Sequence, residues 1–227
     1  MKSSQLLIFA VILFFSCKEE SALSTSGNQE KTKEPLSIVI QPFEGLPPST
    51  ADFVKVKLSE IYSGEVTINE PIPLPKKALN QDRSRYRADS LIRFLNSYAK
   101  EGQLIIGLTS KDISITKGKD PDYGIMGLGF SPGKSCIAST FRLKGDNRQE
   151  KLFKLAIHEL GHTQGIAQTP TKHCPEKTCL MRDAKGKDHW DELNGFCSKC
   201  KPVLIDAGWA LKWFDHLKAY SPLKKVT

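Results

Sequence analysis

Ten residues, Ala156-Ile157-His158-Glu159-Leu160-Gly161-His162-Thr163-Gln164-Gly165, constrain this chain more than any other stretch of it. They contain His-Glu-x-x-His. In a helix, positions i and i+4 lie one turn apart, so His158 and His162 share a face. Two imidazoles placed this way can hold a zinc ion, with Glu159 in reach of a water on it. Zinc lowers the pKa of such a water from about 15.7 to about 7. A carboxylate beside it can act as general base and later hand the proton to a leaving amine. That is the chemistry of peptide hydrolysis.

The flanking pattern supports a helix. Phe153, Ala156, Ile157 and Leu160 fall at i, i+3, i+4 and i+7, an apolar stripe that seats the segment on a core. At 100° per residue the two histidines face away from that stripe. Asn147-x-x-Glu150 has the form of a capping box, and Gly165 stands where a left-handed residue ends a helix. The competing reading is a core helix whose histidines only satisfy hydrogen bonds. The metal-binding residue types that follow Gly165 weigh against it.

Those residues are His173-Cys174, then Cys174-x4-Cys179, Leu180-Met181 and Cys197-Ser198-Lys199-Cys200. With His-Glu-x-x-His-x-x-Gly, a His-Cys pair, Cys-x4-Cys-x-Met and a closing Cys-x-x-Cys, the chain resembles the archaemetzincins, a family of zinc-dependent metallopeptidases. The resemblance is strong over the C-terminal half and architectural over the N-terminal half. It implies a catalytic zinc on His158, His162 and His173, with Glu159 as base and Met181 beneath it in a Met-turn. It also implies a second, structural zinc on Cys174, Cys179, Cys197 and Cys200, two zinc ions per chain in all.

One departure bears on the third ligand. The family places that histidine three residues after the glycine, where this chain has Gln168. The His-Cys pair arrives five residues later, at His173-Cys174. Imidazole suits zinc far better than a neutral amide carbonyl, which favours His173 over Gln168. An inserted loop with Pro170 can bulge at small closure cost. His189, which follows Asp188, is the competing ligand. The Met181 to Cys197 interval is also slightly shorter than the family's.

Upstream, residues 1–16 read as a lipoprotein signal peptide. Lys2 precedes an apolar run, Leu6 to Phe15, that is too short to span a membrane as a mature helix. Ser16-Cys17 then puts a small residue before a cysteine, as in bacterial lipoprotein signals, with Cys17 as the lipidation site. An ordinary secretory signal is the alternative. Residues 17–35, rich in Ser, Thr, Glu, Lys and Gln, form a flexible tether. The expected location is outside the cytoplasm, membrane-anchored, in the bacterial periplasm or on the cell surface.

Residues 36–227 form the remaining domain, long enough for one core. Strands are expected over Ser37 to Phe43, Val66 to Ile68, Leu104 to Leu108 and Ile137 to Leu143. Helices are expected over Thr50 to Tyr62, Asp82 to Lys100 and Pro202 to Tyr220, the last carrying Trp209, Trp213 and Phe214. The alternation of strand and helix implies mostly parallel central strands. Gly124 to Phe130 alternates glycine with apolar residues; it reads either as an edge strand above the cleft that pairs with extended substrate or as an ordinary glycine-weakened strand. The fold class is α/β (α+β), a metzincin-like zincin domain with a twisted mixed sheet, an active-site helix and a small zinc-stapled C-terminal subdomain.

Of six cysteines, one goes to the anchor and four to the cluster, which leaves Cys136 unpaired. The four have zinc-like spacing; in an exported protein disulfides are the alternative. A structural zinc adds on the order of 10 kcal/mol to folding. A net charge of +8 invites an anionic partner, yet the lysines are scattered and no basic run is interleaved with aromatics, so nucleic acid is not expected. The function read from the sequence is zinc-dependent peptide-bond hydrolysis by a monomer acting on a peptide or protein. The alternative is a non-catalytic zinc-binding lipoprotein that uses the same cleft for recognition.

Overall fold

Alternation along the buried strands explains why this chain builds a sheet covered by helices on both faces. In the computed structural model, β1 (Ser37–Pro42), β2 (Val66–Ile68), β4 (Gln103–Thr109) and β8 (Ser135–Ser139) run parallel, and β7 (Gly127–Gly129) closes one edge antiparallel to β8. The order is β2-β1-β4-β8-β7. Ile38, Ile40, Leu104, Ile106 and Leu108 point to one face and join a core with Val54 and Leu58 of α1 (Pro48–Ile61). The same core takes in Phe153, Ala156, Ile157 and Leu160 of α3 (Arg148–Thr163). Val39, Ile105 and Ile137 point the other way, against Ala88, Leu91, Ile92 and Leu95 of α2 (Ala88–Asn96). Side chains two apart on a strand share a face, so consecutive apolar residues serve both layers.

The structure describes residues 35–81, 84–166, 173–209 and 211–212, all within one compact unit, Lys33–Thr227. The signal peptide, Cys17, most of the tether, Gln168, Trp213 and Phe214 lie outside the described residues. A second sheet has three strands. It consists of β3 (Tyr86–Arg87) and an antiparallel hairpin of β5 (Ile113–Lys117) and β6 (Asp120–Ile125).

Three expected elements are shorter than their periodicity suggested. The helix expected over Asp82 to Lys100 is α2 alone, because Tyr86 and Arg87 pair with β5 and Arg85 is drawn into ion pairs with Asp112 and Asp122. The last strand ends at Ser139, whose hydroxyl accepts from the Phe141 N–H and donates to the Lys111 carbonyl. Of the helix expected over Pro202 to Tyr220, the described part is α4 (Cys200–Asp206), after which Gly208 at φ 91° turns the chain; residues 213–220 lie outside the described residues. Trp209 then packs edge-on against Tyr62, with ring centroids 5.4 Å apart.

Among the described residues between α3 and α4 there is little regular structure, yet many side chains are buried. Cys174, Cys179, Leu180, Met181, Trp190, Leu193 and Phe196 all join the core that holds α3, as does Leu204 of α4. The expected stapled C-terminal part is therefore continuous with the main core. In the layer on the opposite face, Leu95 is fully buried between α2 and the sheet. Leu95→Ala is expected to cost about 2–5 kcal/mol, read as a lower denaturation midpoint with metal content unchanged.

Candidate metal centre and its cleft

Helix α3 ends as its sequence implies. Gly165 is left-handed at φ 76°, its N–H bonds to the His162 carbonyl, and the Ile166 N–H reaches back to Gly161. This paired closure marks a Schellman end. The N-terminus differs from expectation. The Asn147 side chain makes no capping bond and turns instead to Asp191. The histidines also do not face solvent: His158 and His162 are 4% and 8% exposed. A second wall covers the face opposite the apolar stripe.

Two glycines let that wall close. A side chain at Gly161 would place its Cβ 2.5 Å from the Met181 sulfur, so Met181 lies directly beneath the helix at this point. A Cβ at Gly127 would fall 2.4 Å from Glu159 Oε1, so edge strand β7 presses against the glutamate. The alternating glycines of Gly124 to Phe130 are thus partly explained by close approach to α3. That stretch divides between the end of β6 and β7.

The His158 Nδ1–H donates to the Leu180 carbonyl at 2.5 Å. A carbonyl can only accept, so the proton sits on Nδ1 and the Nε2 lone pair is left for the site. Burial lowers the His158 pKa to about 4, which keeps the ring neutral at pH 7. The Nε2 atoms of His158 and His162 are 3.1 Å apart. The His173 ring stacks on His158 at 5.3 Å and meets His162 edge-on at 5.0 Å. One donor from each of the three lies within 4.8 Å of the others. Tetrahedral zinc with Zn–N bonds of about 2.0–2.1 Å needs nitrogens about 3.3 Å apart. Three imidazoles converging within these distances fit the ion.

Glu159 is 6% exposed, and burial pushes its carboxyl up to about 8. It lines a cleft of about 1240 Å³ together with His158, His173, Met126, Gly127 and Trp190. A dication held by the neighbouring histidines would stabilise the carboxylate and draw that value down.

The cysteines form the second cluster. The Sγ atoms of Cys174 and Cys197 are 3.6 Å apart, those of Cys179 and Cys200 3.7 Å. A disulfide needs about 2.05 Å, whereas sulfurs on tetrahedral zinc with Zn–S of about 2.3 Å stand about 3.8 Å apart. The Cys200 thiol and the N–H groups of Cys197 and Met181 hold the Cys179 sulfur down at about 5, against its burial, while Cys200 is raised. A sulfur that accepts several donors favours the thiolate that zinc takes.

The structure thus brings together every described histidine and cysteine expected at the two sites. His189 stands outside the histidine cluster, and its Nε2 is buried without a hydrogen bond among the described residues. What sequence reading missed is the clamp that sets the cleft wall. The buried Lys151 ammonium bonds Asp188 Oδ2 (3.2 Å), Asp191 Oδ2 (3.1 Å) and the Lys144 carbonyl (2.9 Å). Lys154 holds the Trp190 carbonyl. Trp190, fixed between these anchors, packs edge-on against His158 at 5.6 Å and directs its indole N–H at Met126 sulfur. A signal was present: Lys151, Leu155, His158 and His162 fall on one stripe of α3, and a lysine on a buried stripe needs a partner.

Comparison with known proteins gives the context of this centre. The model of peptidase family M54 matches residues 37–205. The archaemetzincin of Natronomonas pharaonis is 29% identical over 183 residues, covering 75% of this chain and all of that protein. The crystal structure of the Methanopyrus kandleri archaemetzincin superposes with a TM-score of 0.63 at 29% identity, over 76% of this chain and 95% of that one. The Archaeoglobus fulgidus archaemetzincin, solved in complex with malonate, gives 0.62 at 26% identity, over 74% and 99%. These relatives are archaeal, which corrects the expected location as an exported, membrane-anchored bacterial lipoprotein. No helix among the described residues is long and apolar enough to cross a membrane.

Burial of Glu159 has a measurable consequence in protein freed of metal at the histidines. Its folded pKa, about 8, exceeds the unfolded value near 4.3, so between those values the folded state binds the extra proton and loses stability as pH rises. Glu159→Gln removes this contribution. The difference in denaturation midpoint between Glu159→Gln and the parent should be near zero at pH 4 and grow in favour of the variant up to pH 8. A difference independent of pH would show that the carboxyl is not held protonated.

Proposed function

The chain belongs to peptidase family M54 and is a zinc metallopeptidase, a hydrolase of peptide bonds; on that premise we propose that Glu159 is its general base and that His158, His162 and His173 hold the catalytic zinc. The observation that carries the proposal is the set of three imidazole donors within 4.8 Å of one another, with Glu159 beside them on one cleft. Zinc, when bound there, supplies a Lewis acid and makes water acidic enough to be a nucleophile at neutral pH.

The remaining steps belong to the chain's own residues. The Leu180 carbonyl fixes the His158 tautomer, so that Nε2 rather than Nδ1 faces the site. Glu159 accepts a proton from the attacking water on a carboxylate oxygen, shielded from bulk solvent by β7, and returns it to the departing amine. Met181 supports the histidine pair from below through its contact with Gly161. Strand β7 is the edge of its sheet; its outer side offers main-chain groups to an extended peptide, which fixes substrate polarity along the cleft. Cys174, Cys179, Cys197 and Cys200 would hold a second zinc that ties the segment carrying His173 and Met181 to α4. The alternative, a non-catalytic binding protein, is disfavoured by the presence of Glu159 and by archaemetzincin relatives that match most of the chain's domain.

Two substitutions test this reading on a peptide-library digest with parallel metal analysis. Glu159→Gln should lower kcat/KM at least about a hundredfold, the size of a general-base contribution, and keep its zinc. His173→Ala should lose activity together with one zinc per chain, leaving the other in place. Cleavage at the parental rate by Glu159→Gln removes Glu159 as base. A His173→Ala protein that retains both metals and activity removes His173 as ligand and returns attention to Gln168 and His189.

A further inference from the structure

The two walls of the cleft meet at Tyr123, and lysines surround it. From β5, Lys117 sets its ammonium 4.2 Å from the centroid of the Tyr123 ring. The hydroxyl end of Tyr123 reaches the opposite wall: a Cβ on Gly186 would lie 3.4 Å from it. Gly186 is flanked by Lys185 and Lys187. All of these residues line the cleft that also holds His158 and Glu159.

Backbone hydrogen bonds hold the loop that carries Lys185 and Lys187. Asp183 Oδ1 accepts the Lys185 N–H at 2.8 Å, and the Ala184 carbonyl accepts the Lys187 N–H at 2.8 Å. Lys185 sits at φ 48°, the one non-glycine residue with positive φ among the described residues. Glycine or asparagine would meet that backbone demand more easily. A lysine held in a strained conformation on a cleft wall points to use of its side chain.

Charge accounting gives the sign of that use. Of the carboxylates nearby, Asp122 pairs with Arg85 and Asp188 with Lys151, while Asp120 and Asp183 accept the backbone N–H groups of Asp122 and Lys185, neutral donors that leave their charge in place. Among the described residues, Lys117, Lys185 and Lys187 form no ion pair. Three unpaired ammonium groups against those two carboxylates leave a net positive balance on this part of the cleft.

We propose that Lys117, Lys185 and Lys187, grouped about Tyr123, form a subsite for an acidic side chain, Asp or Glu, of the peptide substrate. The proposal rests on the peptidase reading above, since it names the class of peptide that the same cleft prefers. Exposed ammonium groups contribute modestly one by one, and their field is screened beyond about 10 Å at 0.1 M salt. The preference is therefore expected to be moderate and salt-sensitive, acting mainly on KM.

The test uses the zinc-loaded full chain and peptides identical except for Glu, Gln or Lys at one position scanned along the sequence. At one or more positions the Glu peptide should show a KM roughly fivefold below that of the Gln peptide, with the Lys peptide weaker still. Raising salt to 1 M should bring the Glu-to-Gln ratio close to one, and so should the triple variant Lys117→Gln, Lys185→Gln, Lys187→Gln. Because the readout is a ratio within one protein, a general loss of activity does not mimic the result. A second arm measures binding of a fluorescent Glu peptide to Glu159→Gln protein by anisotropy. If the parent cleaves nothing but the Glu peptide still binds in a lysine-dependent way, the peptidase reading fails and the subsite stands. Equal binding of Glu and Gln peptides at every position, or an undiminished Glu preference in the triple variant, overturns the proposal.

Discussion

Burial of Glu159 is the constraint on which the rest of this structure depends. A carboxyl placed among Gly127, Leu160 and the histidines loses its hydration, and by itself it would stay protonated to about pH 8. A cation is the natural counterweight, and the chain brings three imidazole donors to within 4.8 Å of one another beside it. Desolvation that is unfavourable for an isolated carboxylate becomes useful once the ion is there, since electrostatic effects are stronger where water is excluded. His158 is kept neutral by the same kind of burial, which lowers it to about 4 and leaves its lone pair available.

Holding a polar helix inside the protein requires walls on two sides, and each wall depends on a different device. On one side β7 approaches through Gly127, where any side chain would collide with the glutamate. On the other, Met181 reaches Gly161 from a segment with little regular structure, tied down at Cys174 and Cys179 by contacts with Cys197 and Cys200. The Lys151 ammonium between Asp188 and Asp191 secures the third part of the enclosure and sets Trp190 against His158. Removing one partner from such a buried ion pair leaves the others uncompensated, so the clamp links helix and loop as one unit.

The parts of this arrangement legible in the sequence were those with a local signature. His158, Glu159 and His162 follow from helical spacing, Gly165 from its place after the last turn, and the layered sheet from unbroken apolar strands. His173 and the cysteines became readable through their spacing and family resemblance. Elements set by distant partners were not legible. The helical pattern over Asp82 to Lys100 gave way where Arg85 met Asp112 and Asp122, and the Asn147 cap gave way to Asp191. The outward histidine face was misread because helical periodicity identifies one packed side and is silent about a second wall brought from elsewhere in the chain. The location outside the cytoplasm rested on residues 1–17 alone, whereas the relatives that match the domain are archaeal.

The central claim is that two chemically distinct zinc sites coexist, one of imidazoles and one of thiolates. X-ray absorption at the zinc edge of the purified protein, with metal stoichiometry, addresses it directly. The account predicts two zinc ions per chain and an averaged first shell of about two sulfurs near 2.3 Å and two lighter atoms near 2.0 Å. One zinc per chain in an all-sulfur shell would contradict it, because the three histidines beside Glu159 would then bind no metal.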